Sequence, residues 1–199
     1  MGTTLPLRCQ CGKLRGTAHD LGASEGTRII CYCNDCQAFA RFLGRSDILD
    51  AQGGTDIFQA SPRCIRLEEF ATLACMRLSE KGMFRWYCAE CKTPLGNTMN
   101  GRVPFVGVIH NIIDYRSANT RADDVLGKPF AYVQTRAATG GPPTDVEGAS
   151  LPRLIARSVR LLGQWWLSGA GKQSALFDPT THQPKVTPRV LSESERRAL

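Results

Sequence analysis

CYCNDC, residues 31–36, places Cys31, Cys33 and Cys36 in the pattern C-x-C-x-x-C. Three thiols cannot all pair with one another, whereas four thiols close a tetrahedral metal site. Moving outward, the other cysteines form two pairs and two singles. Cys9 and Cys11 stand in RCQCGKLRG, Cys88 and Cys91 in WYCAECKTPLGN, and Cys64 and Cys75 stand alone. Nine cysteines is an odd count, and the N-terminal stretch lacks the apolar core of a signal peptide. Both features point to a reducing, cytoplasmic setting and to metal binding rather than a disulfide scaffold.

C-x-C and C-x-x-C are each common metal knuckles, because the turn between the cysteines aims both sulfurs at one spot. Cys9, Cys11, Cys88 and Cys91 together can supply a closed four-thiolate zinc site. The alternative is four thiols that are merely buried. Cys31, Cys33 and Cys36 are then left together. Catalytic zinc keeps one coordination position open, so this set predicts a second zinc with room for water or a substrate thiol. Two rivals stand beside that reading. One is a structural zinc completed by His110, His19, Asp35, Cys64 or Cys75. The other is an empty, oxidisable cluster. His110 lies near the end of an apolar run and reads as a packed core residue. Cys64 and Cys75 lie in strand-like runs and read as small buried hydrophobes.

The 199-residue chain has ordinary globular composition, 42% hydrophobic and 22% charged, and no apolar run approaches a membrane span. Its formal charge of +7 is spread along the chain rather than gathered in a basic block, so nucleic acid is not the expected partner. Short strands are expected at 13–19, 27–32, 55–59, 64–70, 72–78, 83–87 and 103–113. A short helix is expected at 35–44, with Asn34 as its cap and Gly44 as its stop. Residues 114–150 read as irregular, with one strand at FAYVQT. LPRLIARSVRLLGQWWL (151–167) is an amphipathic helix, stopped by Gly169. Its face of Leu151, Leu154, Ile155, Val159, Leu162, Trp165 and Trp166 is expected to pack on the rest. Arg153, Arg157, Arg160 and Gln164 lie opposite. The tail after 170 reads as loosely ordered. The expected organisation is thus a zinc domain over 1–115, a connecting segment over 116–150, and a helix with its tail over 151–199.

The motifs CQCG (9–12), CYCNDCQAF (31–39) and WYCAECKTPLGN (86–97), taken together, resemble the glutathione-dependent formaldehyde-activating enzyme family, also called the centromere protein V-like zinc domain. The resemblance covers about residues 7–112. It implies a mainly β, Mss4-like fold of small antiparallel sheets stitched by zinc, here with an appended C-terminal helix. It implies that Cys9, Cys11, Cys88 and Cys91 hold a structural Zn2+. It also implies that Cys31, Cys33 and Cys36 hold a functional one and carry the catalysis. The implied activity is that of a carbon–sulfur lyase joining glutathione, or a similar small thiol, to formaldehyde. Arg41 and Arg45, just past the middle motif, are candidates to meet substrate carboxylates, with surface arginine as the plainer reading. Tyr32 and Lys92 depart from the family, which often has His and Gly there. A non-enzymatic zinc module that binds protein or nucleic acid is the alternative.

Overall fold

The computed structural model describes residues 2–144 and 146–199. Asp145, inside the TGGPPTD stretch read as irregular, lies outside the described residues, as does Met1. Strands β1 (Thr3–Arg8) and β2 (Arg15–Leu21) form a hairpin, and β3 (Thr27–Cys31) leads into helix α1 (Asn34–Leu43). There follow β4 (Thr55–Ala60), β5 (Ile65–Glu69), β6 (Leu73–Arg77), β7 (Phe84–Cys88), β8 (Pro94–Thr98) and β9 (Val106–Ile109). Helix α2 (Ala122–Leu126) and β10 (Ala131–Val133) precede the long helix α3 (Leu151–Leu167). The chain closes with β11 (Arg189–Val190) and α4 (Glu193–Arg197).

The fold is mainly β. A 3-stranded antiparallel sheet has the order β1-β2-β5, and an 8-stranded sheet the order β10-β3-β4-β9-β8-β7-β6-β11. The large sheet is antiparallel inside and parallel at both ends, where β10 joins β3 and β11 joins β6. It is therefore larger than the small antiparallel sheets expected, because the connecting segment and the tail each add an edge strand. Its central strands β8 and β9 are buried along their whole length. One apolar layer gathers Leu5 and Leu7 of the small sheet with Phe58, Trp86 and Leu95 of the large one. A second joins Phe39 and Leu43 of α1 to Ile57, Met76 and Tyr87. Both faces of the large sheet are thus covered, which is why these strands lack a polar side.

Three strands escaped the sequence reading, β1, β8 and the short β11 in the tail. TTLPLR contains Pro6, yet β1 is an edge strand, where a missing N–H is tolerated. No strand is expected in TPLGNT, with its Pro and Gly, yet Pro94 takes the first strand position. Gly96 is needed there, because a Cβ would come within 2.5 Å of the Gly107 carbonyl. The tail is more ordered than expected. Ser192 caps α4 by accepting from the Glu195 N–H at 3.2 Å, while the Glu195 carboxylate accepts from the Ser192 N–H at 2.8 Å.

Helix α3 corrects the expected face. Leu154, Leu161 and Trp165 are buried, whereas Leu151, Ile155, Val159 and Trp166 are exposed. Arg157, expected to face water, turns back and fixes the helix to the turn before β3. Its Nε donates to Thr27 Oγ1 at 2.9 Å, its Nη2 donates to the Ala23 and Gly26 carbonyls, and its guanidinium lies 4.9 Å from the Phe130 ring centre.

Arg28 is buried and holds the connecting segment to the sheet. Its guanidinium donates to both oxygens of Asp56, to Asp123 of α2 and to the Gly127 carbonyl. Removing one partner of a buried pair strands the other charge. Asp56→Ala is expected to lower unfolding stability by about 3 kcal/mol in urea titration. Asp123→Ala should cost well under half as much, since its carboxylate is half exposed.

Candidate metal centre

The first sulfur group forms where two turns meet. Cys9 and Cys11 lie in the turn after β1, which closes through Gly12 N–H to the Cys9 carbonyl at 3.0 Å. The Leu14 N–H also donates to Cys9 Sγ at 3.2 Å. Cys88 ends β7, and Cys91 lies in the turn to β8, closed by Lys92 N–H to the Cys88 carbonyl at 2.9 Å. Lys92 has φ 58°, a left-handed conformation that favours glycine. The four Sγ atoms all lie within 4.8 Å of one another, with Cys9–Cys11 at 3.4 Å and Cys11–Cys88 at 3.7 Å. A tetrahedron with metal–sulfur bonds of about 2.3 Å has edges of about 3.8 Å, so the group is close enough to hold one ion.

Thr93 braces this group. Its Oγ1 lies 3.2 Å from Cys91 Sγ and accepts from the Gln10 N–H at 3.1 Å and from Arg45 Nη1 at 3.3 Å. Arg45 is buried rather than on the surface, and its Nε donates to Asp47 at 2.7 Å, so it is not free for a substrate carboxylate. Burial pushes the Cys9 thiol up to about 12. Cys91 falls to about 6 against burial, because hydrogen bonds with Thr93 favour its thiolate.

The second group is local. Cys31 ends β3, Cys33 caps α1, and Cys36 stands in the first helical turn. The cap is Cys33 and not Asn34: the Cys36 N–H donates to Cys33 Sγ at 3.4 Å. A sulfur at a helix N-terminus gains from the exposed N–H groups and the helix dipole, which favour its thiolate. The three Sγ atoms lie within 4.8 Å of one another, and among the described residues no His, Cys, Asp or Glu joins them as a fourth. Hydrogen bonds from Cys31 and Cys36 hold Cys33 well below the ordinary thiol range, while bonding to Cys33 pushes Cys31 far above it. Three thiols this close cannot all ionise unaided, and a divalent cation is what would replace the shared protons.

The alternative ligands lie elsewhere. His110 Nε2 is 3.7 Å from Asp56, and burial lowers its pKa. His19 lies 2.9 Å from Thr17 Oγ1. Asp35 pairs with Arg196 of α4 at 3.0 Å, so the tail crosses the middle motif. Cys64 and Cys75 are buried, and burial raises each thiol to about 12. Arg41 is exposed and donates to Gln37 Oε1 at 3.2 Å.

Sequence reasoning missed Arg85. It is 2% exposed, donates to Asn97 Oδ1 at 3.2 Å, and lies 5.3 Å from the Phe39 ring centre under α1. Its charge favours the thiolates of Cys33 and Cys36. Alternation along FRWYC puts Arg85 and Tyr87 on one face, but nothing local says that α1 and the cysteine motif cover it.

The nine cysteines thus divide into four, three and two. Cys64→Ala and Cys75→Ala are each expected to leave bound metal unchanged in elemental analysis and to cost about 1 kcal/mol. Cys88→Ser should lose metal and unfold at markedly lower temperature.

None of the curated proteins matches the chain. Among solved structures, a Rhodobacter sphaeroides protein from a structural genomics programme is similar at 18% identity and a TM-score of 0.43. The match spans 65% of this chain and 100% of that one. The model of a family of unknown function, DUF6151, matches residues 1–186, and the chain belongs to that family.

Proposed function

We propose that this chain is a zinc protein of the formaldehyde-activating type, in which Cys31, Cys33 and Cys36 form the working site. On this reading Cys9, Cys11, Cys88 and Cys91 hold a structural zinc, and the sheets around them are an enlarged Mss4-like arrangement. The observation that carries the reading is the three-sulfur group with no fourth protein ligand among the described residues. A closed scaffold needs four ligands, and a site meant for a guest needs three.

A zinc ion held there would favour the thiolate of a guest such as glutathione and polarise a carbonyl. The chain's own residues prepare that environment. Cys31, Cys33 and Cys36 are presented from the end of β3 within the large sheet and from the start of α1, which packs on that sheet. Arg85 lies behind them as a buried positive charge and offsets part of the negative charge that three thiolates gather. Tyr32, where the family often has His, donates its hydroxyl to Asp50 at 3.0 Å, so it is engaged elsewhere. The bond chemistry balances without a redox partner. The guest's thiolate sulfur adds to the carbonyl carbon, the carbonyl π pair moves to oxygen, and that oxygen takes a proton through water, replacing the one the guest thiol released on binding.

Elemental analysis should find about two zinc per chain, and Cys33→Ser about one. NMR exchange between formaldehyde and glutathione should be faster with the wild type than with Cys33→Ser. Equal rates for both, matching the uncatalysed reaction, would remove the enzyme reading.

A further inference from the structure

The exposed side of α3 has no role in the chemistry above. Leu151, Ile155, Val159 and Trp166 stand four, four and seven residues apart, on one side of the helix, and are between 53% and 71% exposed. With the half-buried Leu162 they make one continuous apolar stripe along the helix. The stripe borders an apolar hollow of 280 Å3 lined by Met83, Met99, Phe105 and Leu162. A stripe of this length left in water marks an interaction surface.

The surrounding charge says what covers it. LPRLIARSVRLLGQWWL contains three arginines and no acidic residue. Arg157 is spent on holding the helix down, but Arg153 and Arg160 are exposed along its other outward edge. At one end Leu151 shares a hollow with Arg136, and at the other Trp166 shares one with Arg102 and Lys172. Among the described residues no carboxylate lines any of these three hollows. The apolar strip therefore runs along one outward side of α3, with Arg153 and Arg160 on the other and cations beside both ends.

We infer that α3 docks the protein on an anionic lipid surface, with the stripe entering the headgroup–acyl boundary and the cations facing lipid phosphates. Aliphatic and Trp side chains on one side with Arg on the other are what such a helix needs. A second copy is a poorer occupant, because pairing α3 with itself would bring two all-cationic helices together. Nucleic acid would reward the arginines but not the stripe.

The test is co-sedimentation of the full, metal-loaded chain with vesicles. Vesicles of phosphatidylcholine mixed with phosphatidylglycerol should bind it in a salt-sensitive way, and phosphatidylcholine alone should bind it weakly. Trp166 fluorescence should shift to the blue on binding, with Trp166→Phe as control. Ile155→Glu/Val159→Glu should abolish binding. Arg153→Glu/Arg160→Glu should weaken it on the order of tenfold or more. All four positions are exposed, so unchanged far-ultraviolet dichroism and metal content are expected of both variants. No binding to anionic vesicles, or binding that both variants retain, overturns the inference. So does reversible self-association that the stripe variant removes without any lipid binding, or retention on DNA in place of vesicles.

Discussion

The meeting of two turns, Cys9–Cys11 and Cys88–Cys91, is the constraint on which the rest depends. The first turn belongs to the small sheet and the second to the large one. Bringing four sulfurs within bonding distance of one centre fixes how the two sheets face each other and closes the apolar layer between them. Four thiolates so close would repel, so the geometry makes sense with a cation among them. Joining points this distant in sequence also removes much of the freedom of the unfolded chain. For a structural zinc the binding energy is folding energy, on the order of 10 kcal/mol, which rivals the whole stability of a domain.

The same sheet then positions the second group by a different route. Cys31, Cys33 and Cys36 need no distant partner, because a strand end and a helix start set their spacing. What the fold adds is context: Arg85 from strand β7 beneath α1, the aromatic wall of Phe39 and Tyr87, and the tail reaching Asp35 through Arg196. The two groups thus divide labour on the proposed reading. One is closed and joins sheets, and the other is short by one ligand.

Much of this was legible in the residues. Knuckle spacings grouped the cysteines before any contact was known, because C-x-C and C-x-x-C bring sulfurs together within a single turn. Helix α1 is legible from its start and stop signals, of which Gly44 holds and Asn34 does not, since a cysteine at a helix start is not read as a capping residue. The edge strands β1 and β11 and the central β8 were hidden, because Pro and Gly obscure local preference and pairing is decided by distant partners. For α3 the periodicity was right and the buried face was not. A helix with apolar residues over so wide an arc does not declare which part meets the core. Arg85 and Arg45 were invisible as buried charges, because burial of an arginine depends on what packs over its strand or loop.

The claim that matters most is that sulfur holds two ions in two different ways, and zinc K-edge absorption on the purified protein reads it directly. The account predicts an average environment between three and four sulfurs, which rises toward four when glutathione is added. A uniform four-sulfur signal indifferent to glutathione, or no zinc edge at all, would contradict it.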